Sequence, residues 1–185
     1  ITGEDNQART SLSYFDTNLE DEINGFVFDA ASGNFTAANI DGESNRSGFE
    51  LEHERQLENN LLLHGSYTYI DSTSEDALGR DIDEVRRPRH TASVSGSYQW
   101  DKAGLYVGID YNGSQTDNFF PPFPASQELV ILDGYTLINL AGRYAFNENV
   151  MLTARLENAL DQDFEEVFGY ATPGFAAYAG IKLTW

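Results

Sequence analysis

The chain contains no cysteine, which removes disulfides and thiolate metal sites without locating the protein in any compartment. Cations are scarce as well. Eleven Lys and Arg stand against 30 Asp and Glu, for a formal charge of -19, and such a surface repels nucleic-acid phosphates. No apolar run approaches the roughly 18 residues that a membrane-spanning helix needs. There is no Gly-x-Ser-x-Gly and no phosphate-cradling glycine loop. His53, His64 and His90 fall in three separate predicted strands, so no helical zinc-binding pair exists. The expectation is a protein that is not an enzyme and carries no cofactor, with no catalytic, cofactor-binding or metal-ligating residue assigned. Without an initiator Met or a signal peptide, the chain is expected to be mature, trimmed or partial.

What is present is β-like: 185 residues, 41% hydrophobic and 13% aromatic, with 16 Gly. The mean hydropathy of -0.43 looks soluble, but membrane barrel strands dilute their apolar residues with lumen and loop residues. The run Ala176 to Trp185 shows the pattern. Ala177, Ala179, Ile181, Leu183 and Trp185 share one parity, and Tyr178, Gly180, Lys182 and Thr184 the other. Successive strand side chains point to opposite faces, so this is a strand with one apolar and one polar side.

Similar alternation predicts strands over 8–16, 22–29, 47–56, 61–71, 89–100, 104–115, 134–145, 150–158 and 176–185, about nine in all. Short breaks near 17–21, 57–60, 101–103 and 146–149 alternate with long ones near 30–44, 72–88, 116–132 and 159–174. Membrane barrels have short turns on the periplasmic side and longer loops outside, whereas sandwiches mix turn lengths. Most of these strands also exceed the ~5–6 residues typical of soluble sheets.

Aromatic residues give an independent check. Tyr14, Tyr98, Trp100, Tyr144, Phe146 and Trp185 carry the apolar parity at strand ends that approach a short turn or the C-terminus. One interfacial girdle is predicted there. Tyr67, Tyr69 and Tyr111, at the opposite strand ends, predict a second. Two readings of the residues stay open beside a large receptor barrel. One is a small self-contained outer-membrane barrel with a structural or adhesion role; the other is a soluble carbohydrate-binding β-sandwich.

The phrase Leu156-Glu157-Asn158-Ala159-Leu160-Asp161-Gln162-Asp163-Phe164, followed by Gly169-Tyr170 and Pro173-Gly174-Phe175, resembles the C-terminal signature of TonB-dependent outer-membrane receptors. Ala159 shifts the usual phrase, and Phe175 replaces the usual Arg. Ser13-Tyr14-Phe15-Asp16, Ser47-Gly48-Phe49-Glu50-Leu51-Glu52 and Arg87-Pro88-Arg89-His90 agree with the family. Asp163 to Gly174 is similar to the corresponding end of vitamin B12 receptors.

The resemblance implies an all-β chain, a transmembrane antiparallel up-and-down β-barrel segment in the outer membrane of a Gram-negative bacterium. Residues 1–185 would supply about nine C-terminal strands of a barrel of about 22 strands, the plug and N-terminal strands being absent. The implied activity is import of a large scarce nutrient, with a cobalamin-like ligand favoured over a ferric siderophore. The implied partners are membrane lipid and lipopolysaccharide, the remainder of the receptor, a small-molecule ligand, and the TonB complex through a TonB box in the missing N-terminus. Nucleic acid is not among them. Aromatic side chains in the long loops, Phe119, Phe120, Phe123, Phe168 and Tyr170, are the candidates for ligand contact. For Phe119 to Pro124, packing of the loop on itself is the competing expectation. The acids Asp71, Glu75, Asp76, Asp81, Asp83 and Glu84 lack the spacing of a calcium loop, and a solvated external loop is the expectation for them.

Overall fold

The computed structural model describes residues 8–39, 42–57, 60–75, 79–122 and 124–185, without the side chains of 24–27 and 38. Every element in it is a strand. In chain order these are β1 (Ala8–Glu20), β2 (Ile23–Asp29), β3 (Asn34–Asn39), β4 (Glu43–Leu57), β5 (Leu61–Glu75), β6 (Asp81–Asp83) and β7 (His90–Gln99). There follow β8 (Ala103–Asn112), β9 (Gln115–Phe119), β10 (Glu128–Leu132), β11 (Tyr135–Asn147), β12 (Val150–Glu157) and β13 (Ala176–Leu183). One antiparallel nine-stranded sheet runs β1-β4-β5-β7-β8-β11-β12-β13, with β6 paired to β5 off that path. The small hairpins β2–β3 and β9–β10 stand apart from it.

The expected count of nine strands holds, but its membership differs. Residues 17–21 do not form a short turn. β1 continues through Thr17–Glu20, paired with Arg46–Glu43 of β4, and turns only at Asp21, which takes a left-handed φ of 55°. The polar run was read as a break because it lacks alternation. Beyond the apolar band both faces of a strand meet water, so the ladder persists without a greasy side. Residues 23–29 are accordingly not a long strand of the sheet but half of the β2–β3 hairpin, inside the long connection from β1 to β4. The ninth strand is the three-residue β6. The stretch 116–132 likewise folds as a hairpin, β9 on β10, rather than as an irregular loop.

With these corrections the connections alternate strictly. Between the eight long strands, four long ones carry the extra hairpins or irregular segments, and three short ones lie at 58–60, 100–102 and 148–149.

The register explains the alternation of residue types. Val94, Ile109 and Ile138 form one cross-strand row, and Leu152, Ile181 and Tyr144 share another. Directly opposed residues point to the same side, so all lie on one apolar face. That face is uncovered: Val94 is 58% exposed and Ile181 70%. Leu132 is the one buried hydrophobic residue among those described. A β-sandwich buries its alternating apolar residues between two packed sheets; among the described residues no second sheet packs on this face, which speaks against that reading. Leaving each large side chain in water forgoes about 1.5–3 kcal/mol. Such a face demands an apolar surrounding.

The aromatics mark its borders. Tyr98 and Trp100 meet edge-on at 4.5 Å beside a short turn, and Phe146 sits on the bulge between Ala145 and Asn147. At the long-loop end, Phe49 lies between Tyr67 and Tyr69 at 5.7 and 5.6 Å. Tyr14 belongs with this second group, because its partner across the ladder is Phe49. Its expected place in the first girdle followed from the misread turn at 17–21. Gly48 in the same region accepts no larger residue: a Cβ there would lie 2.1 Å from the Tyr69 carbonyl and 2.8 Å from the Phe15 ring.

Candidate functional site

At the long-loop end the connections are tied to one another by partly buried charge. Arg46 on β4 donates through Nη2 to Glu22 at 2.9 Å and to Glu84 at 2.7 Å. Glu84 also accepts from the Ser72 hydroxyl and pairs with Arg87 at 3.4 Å. Two of the long connections are thereby fastened to β4. Burial pushes the Glu84 carboxyl up, but the Arg46 and Ser72 donors outweigh it and hold its pKa below the ordinary value. Hydrogen bonds from Ser44 and Arg46 lower that of Glu22, and Glu84 in turn raises that of Arg46.

Asp117 on β9 is the second hub and is fully buried, at 0% exposure. Its Oδ1 accepts from Arg86 Nε at 2.8 Å and from the Asn118 amide at 2.7 Å. Its Oδ2 accepts from the Phe168 amide at 2.7 Å. Burial alone would raise this carboxyl; the two amides and the guanidinium together lower it below its usual range. The β9–β10 hairpin is thus joined to the segment after β6 and to the last loop. Arg86 N–H to the Thr116 carbonyl and Gln115 Nε2 to the Glu166 carbonyl reinforce the junction.

Above Asp117 lies an open cleft of about 820 Å³. Phe119, Phe120, Phe168 and Tyr170 all line it, so four of the five ligand-loop candidates come together. Phe123 lies outside the described residues. Phe119 packs edge-on against Phe168 at 5.1 Å, so this aromatic segment is covered by the last loop rather than by itself. Phe120 and Tyr170 stay 69% and 71% exposed, presenting ring surface to the cleft. Among the lining residues Arg86 and Glu166 alone carry charge. Arg86 is paired to Asp117, and Glu166 accepts from the Tyr135 hydroxyl at 3.1 Å.

Two of the acids between Asp71 and Glu84 share one cation: Arg89 Nη2 reaches Asp71 at 3.3 Å and Asp83 at 2.9 Å. Asp76 lies outside the described residues. Among the described residues no three His, Asp or Glu side chains converge to hold a metal. His90 accepts or donates at Nδ1 to the Tyr67 hydroxyl at 2.7 Å, and His53 does so to Thr10 at 2.8 Å. Reading the sequence missed Asp117, Arg46 and Glu22, because single polar residues in polar loops carry no pattern. For Arg86 there was a signal, the cluster of arginines from Arg80 to Arg89 in an otherwise acidic chain.

The signature phrase acquires a physical role here. Asn158, 4% exposed with φ at 46°, accepts at Oδ1 from the Gln162 amide and donates through Nδ2 to the Gln162 and Pro173 carbonyls. Asp161 Oδ1 accepts from the Phe175 amide at 2.7 Å. The two residues clasp both ends of the last loop. A Cβ on Gly174 would stand 2.6 Å from that same Asp161 oxygen.

A single open sheet, an uncovered apolar band between two aromatic borders and long loops gathered at one end define an arc of a membrane β-barrel. Residues 2–159 match the family described as TonB dependent receptor-like, beta-barrel, and the chain belongs to that family of Gram-negative outer-membrane proteins. It is 27% identical over 132 residues to the metal-pseudopaline receptor CntO of Pseudomonas aeruginosa, covering 68% of this chain and 18% of that protein. It is 24% identical over 166 residues to the vitamin B12 transporter BtuB of Vibrio cholerae, covering 89% of this chain and 26% of that protein. Among solved structures, the ferric-catecholate import receptor Fiu from E. coli K12 superposes with a TM-score of 0.72 at 18% identity, over 97% of this chain and 26% of Fiu. The pyoverdine receptor FpvA from Pseudomonas aeruginosa PAO1 gives 0.73 at 16% identity, over 97% and 27%. The chain spans about a fifth to a quarter of the length of these relatives. Its apolar face therefore meets lipid and its polar face the barrel lumen.

Proposed function

We propose that residues 1–185 form the C-terminal arc of a TonB-dependent importer of a large scarce nutrient, with a cobalamin-like ligand favoured over a ferric siderophore. The rest of the receptor supplies the plug, the N-terminal strands and the segment that contacts the TonB complex. Lipid covers the outer face, and lipopolysaccharide surrounds the loop end. The relatives, whose names include a vitamin B12 transporter and siderophore receptors, support the importer class and leave the ligand open.

One observation carries the ligand preference. The aromatic cleft offers exposed ring faces, while its single lining arginine is neutralised by Asp117. A bulky, nearly neutral corrinoid suits such a wall. An anionic ferric chelate favours unpaired cations at the mouth. Equilibrium binding of cyanocobalamin and of ferric chelates to the complete receptor tests this. Tight binding of a ferric chelate with none of cyanocobalamin overturns the corrinoid assignment and leaves the importer class standing.

The small self-contained barrel gains one argument, since eight long strands is an even number with both ends at the short-turn side. Against it, among the described residues β1 pairs only with β4 and β13 only with β12, so the sheet they form does not close on itself. Open edges in lipid leave backbone groups unpaired at several kcal/mol each. Further strands of the same receptor meet that need.

A further inference from the structure

The lipid-facing rows of the sheet are apolar, and a charge interrupts one of them. Arg55 of β4 is directly opposed to Ala8 and to Leu63, and the same row continues through Gly96, Val107 and Leu140. Directly opposed residues share a face, so Arg55 points to the lipid side. The other lipid-facing positions of β4 are Phe49, Leu51, His53 and Leu57, while Glu50, Glu52 and Glu54 face the lumen. Between the two aromatic borders, no other Asp, Glu, Lys or Arg among the described residues lies on that face. Arg55 is exposed, and among the described residues no carboxylate pairs with it. His53, the next lipid-facing residue, is satisfied by Thr10 at 2.8 Å.

An arginine on the lipid face destabilises a barrel most at the bilayer midplane and least near the interfaces, and an ionisable residue kept in that setting signals a function. Depth decides which partner it meets. Phe49 belongs to the outer aromatic border, and Leu57 shares its row with Tyr98 of the inner one through Leu61. Arg55 therefore stands three lipid-facing positions from the first border and one from the second. One such step is about 6.8 Å along the strand, within reach of a side chain that lies along apolar surface and puts its head in the interface. The inner border is the short-turn, periplasmic side, so the first anionic groups within reach are phosphodiesters of the inner leaflet. A planar guanidinium holds such a phosphate through two parallel N–H donors. The surface beside it is lowered by Gly65 and Gly96, in ladders that run without a bulge. Within 4 Å a Cβ at Gly65 would meet only the Ser93 carbonyl oxygen, at 3.9 Å, and one at Gly96 only Leu63 Cδ2, at 3.4 Å, so packing does not require either glycine. Glycine inside a regular strand marks a close approach from outside, and the trough these two leave beside Leu63 fits an acyl chain.

We propose that Arg55, with the trough at Gly65 and Gly96, binds one phospholipid of the inner leaflet by its phosphate. The site depends on the barrel register and not on which nutrient the receptor carries. The competing partner is a carboxylate on the receptor strand that pairs with the free edge of β1, reached across the small Ala8. Such a pair would act without lipid, which separates the two.

The test uses the complete receptor, delipidated in maltoside micelles, whose detergent carries no phosphate. Phosphatidylglycerol is titrated in, with diacylglycerol of the same chains as the control that lacks the phosphate. Native mass spectrometry counts retained lipid, and heat-modifiable gel mobility in urea reads barrel stability. Wild type is compared with Arg55→Leu and Arg55→Lys. The expected result is retention of phosphatidylglycerol weakened on the order of tenfold in Arg55→Leu, and by less in Arg55→Lys, which keeps the charge without the fork. Phosphatidylglycerol should raise the urea midpoint of wild type more than that of Arg55→Leu, and diacylglycerol should move both alike. Equal retention in all three proteins overturns the proposal, as does wild type holding diacylglycerol as firmly as phosphatidylglycerol. A midpoint that falls in Arg55→Leu before any lipid is added also overturns it and assigns Arg55 to a carboxylate of the neighbouring strand.

Discussion

Asp117→Ala removes the residue that joins three loops, and its effect follows from which donors are left behind. The Asn118 amide is adjacent in sequence and Arg86 is 49% exposed, so both regain water easily. That surface-side ion pair contributes roughly 0–1 kcal/mol after screening. The Phe168 amide is different: it crosses from the last loop to a carboxylate with 0% exposure. A hydrogen bond to a charged group contributes about 1.5–3 kcal/mol. The loss should total about 2–4 kcal/mol in local opening, or roughly 30- to 1,000-fold in the opening equilibrium. Hydrogen exchange at the Phe168 amide in the complete receptor reads that number directly, while amides in β11 and β12 should not change. Protection at Phe168 within threefold of wild type would refute the hub. The pH dependence has a definite sign. Because the folded pKa of Asp117 lies below its ordinary 3.8, the stabilisation is fully present above that value and is lost as pH falls through the lowered one. Protection should be flat from pH 7 to pH 5, and a loss within that window would contradict the assignment.

Two further outcomes test the faces and the topology. Arg in place of Ala154, on the lipid face at the middle of β12, should cost on the order of 2–4 kcal/mol of barrel stability; Arg in place of Thr153, on the lumenal face, far less. Equal costs in urea unfolding would contradict the register of β12 with β13. Single cysteines at Ser126 and Ala171, on the long-loop side, should react with an impermeant thiol reagent on intact cells, and one at Lys102 should not. Labelling confined to Lys102 would invert the orientation.

The extent to which the sequence disclosed this architecture depended on what each residue faces. Where one strand face meets lipid and the other the lumen, residue type alternates strictly, and β7, β12 and β13 could be placed to within one or two residues. Past the girdles water bathes both faces, so alternation vanishes although the hydrogen-bond ladder does not. That is why Thr17–Glu20 reads as part of a turn, β3 as part of a long loop and the β9–β10 hairpin as a long connection. The same reason hid the hubs. Arg46, Glu84, Asp117 and Arg86 act in pairs separated by up to 38 residues, and nothing local marks a residue whose partner lies that far along the chain. The aromatic candidates were legible because Phe in a polar loop is itself conspicuous. Their convergence on one cleft depends on the hubs and could not be read.

The signature phrase shows the opposite case, in which short-range chemistry writes a pattern that sequence can display. Asn158 and Asp161 both adopt left-handed φ, at 46° and 51°, a conformation that Asn and Asp tolerate better than most residues. Each spends its side chain on backbone groups, Asn158 on Gln162 and Pro173, Asp161 on Phe175. The residue types, their three-residue spacing and the downstream Pro-Gly are therefore required by one loop closure at the exit of β12. The departures fit the same picture. Ala159 donates its amide to the Ile138 carbonyl at 2.8 Å, and Phe175 is bound through its amide. Both contacts use main-chain atoms, so the side chain at either position is free to differ from the family phrase without opening the clasp.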